Sequence, residues 1–251
     1  MPAPIKFYLG DSKHAEGIHI ANGQMLNTSH INKFGYTGAD VNGTATIWDG
    51  TAVSGATVYT YLTAPVTLKV ESDDDPDDGA TYLIEGLDGD YNPVSESITT
   101  DAVTGEGYGT QQFLRVFRAR ITSNGGVNEG NVSITSNDGN NTLLAYIKAD
   151  NGQTLMSIYT VPAGKTAYLF KLHGSVDKAN VGVQFMFFET PFGGAKNIKH
   201  MSGTQGGNPI DYDYPVPLRF EEKSDLEMTI KTAASCGAGG VFDLILVDNP
   251  E

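Results

Sequence analysis

The chain has 251 residues with 30 glycines, and 16 Lys+Arg against 30 Asp+Glu give a formal net charge of −14. That length supports one large β-domain or two small ones, either able to bury a core without disulfides or metals. A pI near 4.6 provides no general electrostatic footprint for nucleic acid or anionic membranes, so neither is an expected partner.

Residues 1–43 carry little strand signal, many Gly, Asn and Ser, and three of the five histidines, His14, His19 and His30. The expectation is an extended N-terminal arm, ordered by lying on a neighbouring subunit. Its first ten residues hold no apolar run long enough for a signal peptide, which predicts synthesis in the cytoplasm. No later stretch approaches the 18 apolar residues of a membrane span.

From Thr44 to the end, short β-branched and aromatic runs alternate with turn residues. Predicted strands are Thr44–Trp48, Val58–Leu62, Val66–Val70, Thr81–Glu85, Phe113–Thr122, Val132–Thr135 and Leu143–Lys148, then Thr154–Val161, Thr166–Leu172, Val181–Phe188, Leu218–Ile230 and Val241–Val247. Asp78-Gly79, Asp88-Gly89, Asn124-Gly125-Gly126, Asp138-Gly139 and Asn151-Gly152 punctuate them. Asn151-Gly152 between two strand-like runs predicts a tight hairpin. Leu226, Met228 and Ile230 alternate with polar residues, which predicts one buried and one wet face. No window has convincing helical spacing. The fold class is therefore all-β, an antiparallel β-sandwich over 44–251, with 136–142 as the place where two sub-parts would meet.

No constellation announces a chemistry, and the expectation is a protein that is not an enzyme, with no cofactor and no metal. Gly164-Lys165-Thr166 ends like a phosphate loop, but Tyr159 stands where that motif needs glycine, and Val161-Pro162-Ala163-Gly164 reads as a β-turn. Asp73–Asp78 reads as a solvated acidic loop before a calcium loop. The loop Asp88-Gly89-Asp90-Tyr91-Asn92 has Pro93 where an EF-hand needs glycine. The histidines, including His173 and His200, lack metal-ligand spacing. Glu85, Glu96, Glu189 and Glu227 lie on predicted strands without forming a recognisable pair. Cys236 reads as a small packed thiol. Three of the four arginines, Arg115, Arg118 and Arg120, share one run with Phe113 and Phe117, a composition enriched at protein interfaces.

Phe34-Gly35-Tyr36, Thr46-Ile47-Trp48-Asp49-Gly50, Tyr59-Thr60-Tyr61-Leu62, Gly86-Leu87-Asp88 with Tyr91, Ser95-Glu96-Ser97, Phe113 to Arg118, Asn131 to Ile134 and above all Gly152 to Tyr168 resemble a family of tailed-bacteriophage virion structural proteins, found especially in marine phages and cyanophages. The resemblance covers most of 34–170. The stretch Asp73–Gly79 is more charged and shorter than that pattern, so no binding residue is carried over there. The resemblance implies a jelly-roll-like sandwich acting as a capsid decoration or cement protein on the virion surface. Its partners would be the major capsid protein and further copies of itself, a trimer by preference. Phe34, Tyr36, Trp48, Arg115, Phe117 and Arg118 are the interface candidates. The alternative is a tail-fibre or baseplate receptor-binding jelly roll, with Asp211, Tyr212, Asp213 and Tyr214 as the carbohydrate platform.

Overall fold

The computed structural model describes residues 13–205 and 207–250. After helix α1 (Lys13–Ala21), strands β1 (Thr28–Tyr36) and β2 (Val41–Thr46) begin a first sandwich. The chain then leaves it to build β3 (Leu68–Ser72), β4 (Thr81–Leu87), β5 (Pro93–Thr99), β6 (Glu106–Tyr108), β7 (Arg115–Ile121), β8 (Val132–Ser136) and β9 (Leu143–Ile147). It returns through β10 (Ile158–Thr160), β11 (Lys165–Val176), β12 (Val183–Thr190), β13 (Asn197–Thr204), β14 (Ile210–Phe220), β15 (Asp225–Cys236) and β16 (Ala238–Asp248).

In the first sandwich one sheet runs β1-β16-β11-β14, and the other runs β10-β15-β12-β13 with β2 also on β15. All these pairings are antiparallel. Each sheet interleaves strands from both ends of the chain, which is the double Greek-key order of a jelly roll. Ile47, Leu169, Phe185, Phe187, Phe242 and Leu244 fill its core. Strands β3–β9 make a second, smaller sandwich of sheets β6-β3-β8-β9 and β5-β4-β7. There the period-two rule is clean: β8 and most of β4 alternate buried and half-buried positions, and Leu68, Val70, Tyr82, Ile84, Val116 and Ile134 meet between the sheets.

The second sandwich is inserted between β2 and β10, and its two chain crossings lie side by side. Trp48 bridges Met156 in antiparallel fashion. Ser157 N donates to Ile47 O at 2.9 Å, Asp49 N to Leu155 O at 2.9 Å, and Leu155 N to Asp49 Oδ2 at 2.8 Å. The neck is thus a short two-stranded ribbon with its backbone groups paired, as burial requires.

Several sequence expectations are corrected here. Residues 28–43 are not an arm: β1 pairs with β16 along its whole length, and Val41–Thr46 pairs with β15. Residues 1–12 of the expected arm lie outside the described residues. The stretch 136–142 is the turn between paired strands β8 and β9, so the two parts meet instead at 47–49 and 155–157. Asn151-Gly152 does not close a hairpin, because β9 pairs with β8 and β10 with β15. Gly152 is captured elsewhere: Asn128 Oδ1 accepts its N–H at 2.8 Å and its carbonyl accepts from Ile121 N at 2.9 Å, so the flanking strands diverge. Both faces of β15 are buried from Asp225 to Ile230. The segment 57–59, which bonds to Thr46, covers the face expected to be wet. It overlaps the expected strand Val58–Leu62, which is not a strand.

Candidate functional site: an outer sheet face and a seam between sandwiches

In β1, Ile31, Lys33 and Gly35 turn inward while His30, Asn32, Phe34 and Tyr36 turn outward. The register with β16 places Phe34 opposite Val241 and Tyr36 opposite Gly239. Tyr168 and His173 of β11 lie opposite Ile245 and Val241 across the same sheet. The result is an outer face with partly exposed Phe34 (37%) and Tyr36 (38%), half-buried Tyr168, Val241 and Ile245, and exposed Phe170 at the β11 bulge. Polar groups cross-link this face. Asp243 accepts from Asn32 Nδ2 at 2.6 Å and meets His30 Nε2 at 3.2 Å, and Lys171 pairs with Asp211 at 3.0 Å. Tyr36 donates to Asp177 Oδ2 at 3.2 Å, and burial with that carboxylate pushes its phenol up to about 12.

The other interface candidates lie at the junction of the two sandwiches. Trp48 is 1% exposed. It donates its indole N–H to Ala56 O at 3.1 Å and meets Tyr59 edge-on, so it is a core residue of its own chain. Arg115 is also internal. Its Nε and an Nη hold Asp225 Oδ1 and Oδ2 at 2.7 and 2.9 Å, and its guanidinium lies near the rings of Tyr61 and Tyr91. Thr160 Oγ1 donates to the same carboxylate at 2.6 Å. Arg115 therefore joins strand β7 of the inserted sandwich to strand β15 of the jelly roll. Regular alternation along this run is broken, because β7 slips register against β4 between Arg118 and Val116, leaving Phe117 as a bulge. Half-buried Phe117 packs against Tyr159. Arg118 is exposed, with Glu85 Oε2 3.7 Å from its Nε and Gln153 Oε1 3.2 Å from an Nη.

Lys33, 8% exposed, donates to the Phe117 carbonyl across this seam. Burial, and then Arg118, lower its ammonium to about 7. A cavity of about 200 Å³ opens beside it, walled by Asn32, Lys33, Glu85, Arg118, Gln153 and Thr154. Sequence reading missed Lys33. The signal, a basic residue at an inward position between Ile31 and Gly35, is visible only once 28–36 is known to be a strand.

The carbohydrate candidates do not share a surface. Tyr212 lies opposite core residue Leu172 in the register, while Asp211 and Asp213 lie opposite His173 and Lys171 on the outer face. Tyr212 and Tyr214 instead pack with His200 at the open edge between β13 and β14.

The acidic run is tied down. Buried Asp77 accepts from Ser72 Oγ at 2.8 Å, Glu129 N at 3.0 Å and Gly130 N at 2.8 Å, and Asp73 accepts from Asn131 N at 2.6 Å. No group of three or more His, Cys, Asp or Glu among the described residues is placed to hold a metal ion. Lys165 N meets Pro162 O at 3.3 Å with Gly164 at φ +72°, a glycine-requiring turn one residue later than expected. Cys236 is buried, and burial raises its thiol.

No family model and no curated relative matches the chain. A solved structure of infectious bursal disease virus, Gx strain, aligns with 89% of this chain and 76% of its own at 10% identity and a TM-score of 0.21. A crystal structure of the infectious bursal disease virus VP2 subviral particle aligns with 88% of this chain and 74% of its own, at 11% identity and a TM-score of 0.19. Scores this low carry no argument about this chain.

Proposed function

We propose that the chain is a non-enzymatic structural component of a tailed-phage virion, working as a decoration or cement protein on the head. The observation that carries this reading is the outer face of the β1-β16-β11-β14 sheet, where, among the described residues, Phe34 and Tyr36 are partly exposed beside half-buried Tyr168, Val241 and Ile245. The family resemblance across 34–170 supports it as well. A cement protein acts by burying area on its neighbours, roughly 800 Å² per partner in a standard interface, and repetition around a shell multiplies the effect. Here the major capsid protein and further copies of the chain are the partners, a trimer the assembly to test first. The test is location. Labelled protein should saturate purified heads and appear as density on the shell in virion reconstructions; density confined to the tail sinks the proposal. Deleting residues 1–12, which leaves β1 intact, asks whether the start of the chain contributes to that binding.

A further inference from the structure

We infer that the cavity between the two sandwiches is a binding site for a small oxyanion that carries its own proton, hydrogen phosphate in the first place. The argument begins with the hydrogen-bonding capacity of its walls. Lys33 is nine-tenths buried and spends one donor on the Phe117 carbonyl, while an ammonium has three. Arg118 gives one N–H to Gln153 Oε1 and stands 3.7 Å from Glu85, leaving further guanidinium donors. Two cationic side chains from different sandwiches thus reach one cavity of about 200 Å³, room for a tetrahedral anion and water. Rim residues His30 and Arg118 are exposed, giving a route in.

Glu85 determines which anion. Its Oε2 is buried and, apart from the long ion pair with Arg118 Nε at 3.7 Å, accepts no hydrogen bond. A buried acceptor without a donor costs about 1–3 kcal/mol, so the favoured ligand brings an O–H to it. Hydrogen phosphate does so at neutral pH. Sulfate has no proton to offer and would place an oxygen against the carboxylate. The cavity therefore discriminates between two ions of nearly equal size by a single proton. Burial and Arg118 both oppose charge on Lys33; a bound anion offsets both, so binding and protonation of Lys33 support each other.

The test is titration of the full chain with sodium phosphate and sodium sulfate at matched ionic strength and pH 6.5, followed by calorimetry and the ³¹P line width. Phosphate should bind at least tenfold tighter than sulfate. Lys33→Met should weaken phosphate at least tenfold. Glu85→Gln supplies an amide donor in place of the acceptor and should gain sulfate binding while losing preference, a result that an unfolded variant cannot give. Methyl phosphate identifies the source: binding equal to phosphate assigns the cavity to phosphomonoesters, and no binding assigns it to the free ion. Equal affinity for sulfate and phosphate in the unsubstituted chain, or phosphate binding untouched by both substitutions, overturns the inference.

Discussion

Arg115 and Asp225, 110 positions apart, form a two-pronged ion pair at 2.7 and 2.9 Å that joins the inserted sandwich to the jelly roll. Both side chains are about nine-tenths buried. Removing one partner strands the other charge, so Asp225→Ala should cost about 3–5 kcal/mol in urea unfolding. Replacing both with apolar residues of similar volume should recover most of that loss. A double-variant cost equal to the sum of the two single-variant costs would show that the pair does not couple.

Lys33 sets a pH dependence at the same seam. Its ammonium falls from the usual 10.5 to about 7 in the folded chain, so above pH 7 the unfolded chain binds more protons at this position. Stability should therefore rise with pH between about 7 and 10.5, and the penalty is present in full below that window. The stability of the unsubstituted chain minus that of Lys33→Met should climb through that range, by up to about 4 kcal/mol overall. A difference that stays flat or falls refutes the assignment.

Phe34 and Trp48 are both interface candidates under the family resemblance, and the structure separates them. Trp48→Ala should cost about 3–5 kcal/mol, as expected for emptying a packed aromatic site. Phe34→Asp should leave unfolding within about 0.5 kcal/mol of the unsubstituted chain while lowering binding to purified heads at least tenfold. Full head binding by a stable Phe34→Asp variant would remove this face from the proposed interface.

Two glycines with positive φ should respond differently to alanine. Gly139, at φ +86°, has open space around a would-be Cβ, so Gly139→Ala should cost about 1 kcal/mol for conformation alone. A Cβ on Gly152, at φ +67°, would stand 2.2 Å from the Gly126 carbonyl. Gly152→Ala should then cost about 3 kcal/mol or more, read as a fall in urea midpoint at unchanged slope.

Where apolar alternation or apolar runs were plain, as at Thr81–Glu85 and Val181–Phe188, the sequence was enough to place the strands. Strand β1 escaped because its inward positions are Ile31, Lys33 and Gly35, one charged and one without a side chain. Much of β14 escaped because Pro215 and Pro217 interrupt it, tolerable only because it is an edge strand. The division into two sandwiches was misplaced at 136–142 because turn residues mark a hairpin and a crossing between bodies alike. Nothing local distinguishes Arg115 as an internal strut from Arg115 as a surface contact; Asp225 decides it, and that residue lies far along the chain. The outward pair Phe34 and Tyr36 is legible as candidates, while the seam cavity is not, since its walls come from five separated segments.

The ribbon of Ile47–Asp49 and Leu155–Ser157 makes the inserted sandwich a cassette. Its entry and exit are neighbours, so a jelly roll closed directly from 47 to 157 would be spared a long detour, and another module with similarly spaced ends could occupy the same place. Asp248 N also donates to Asn27 O at 2.9 Å, bringing the two ends of the jelly roll together. Tension between those ends would peel β1 from β16 before it reached the cassette, which therefore lies off the line of load.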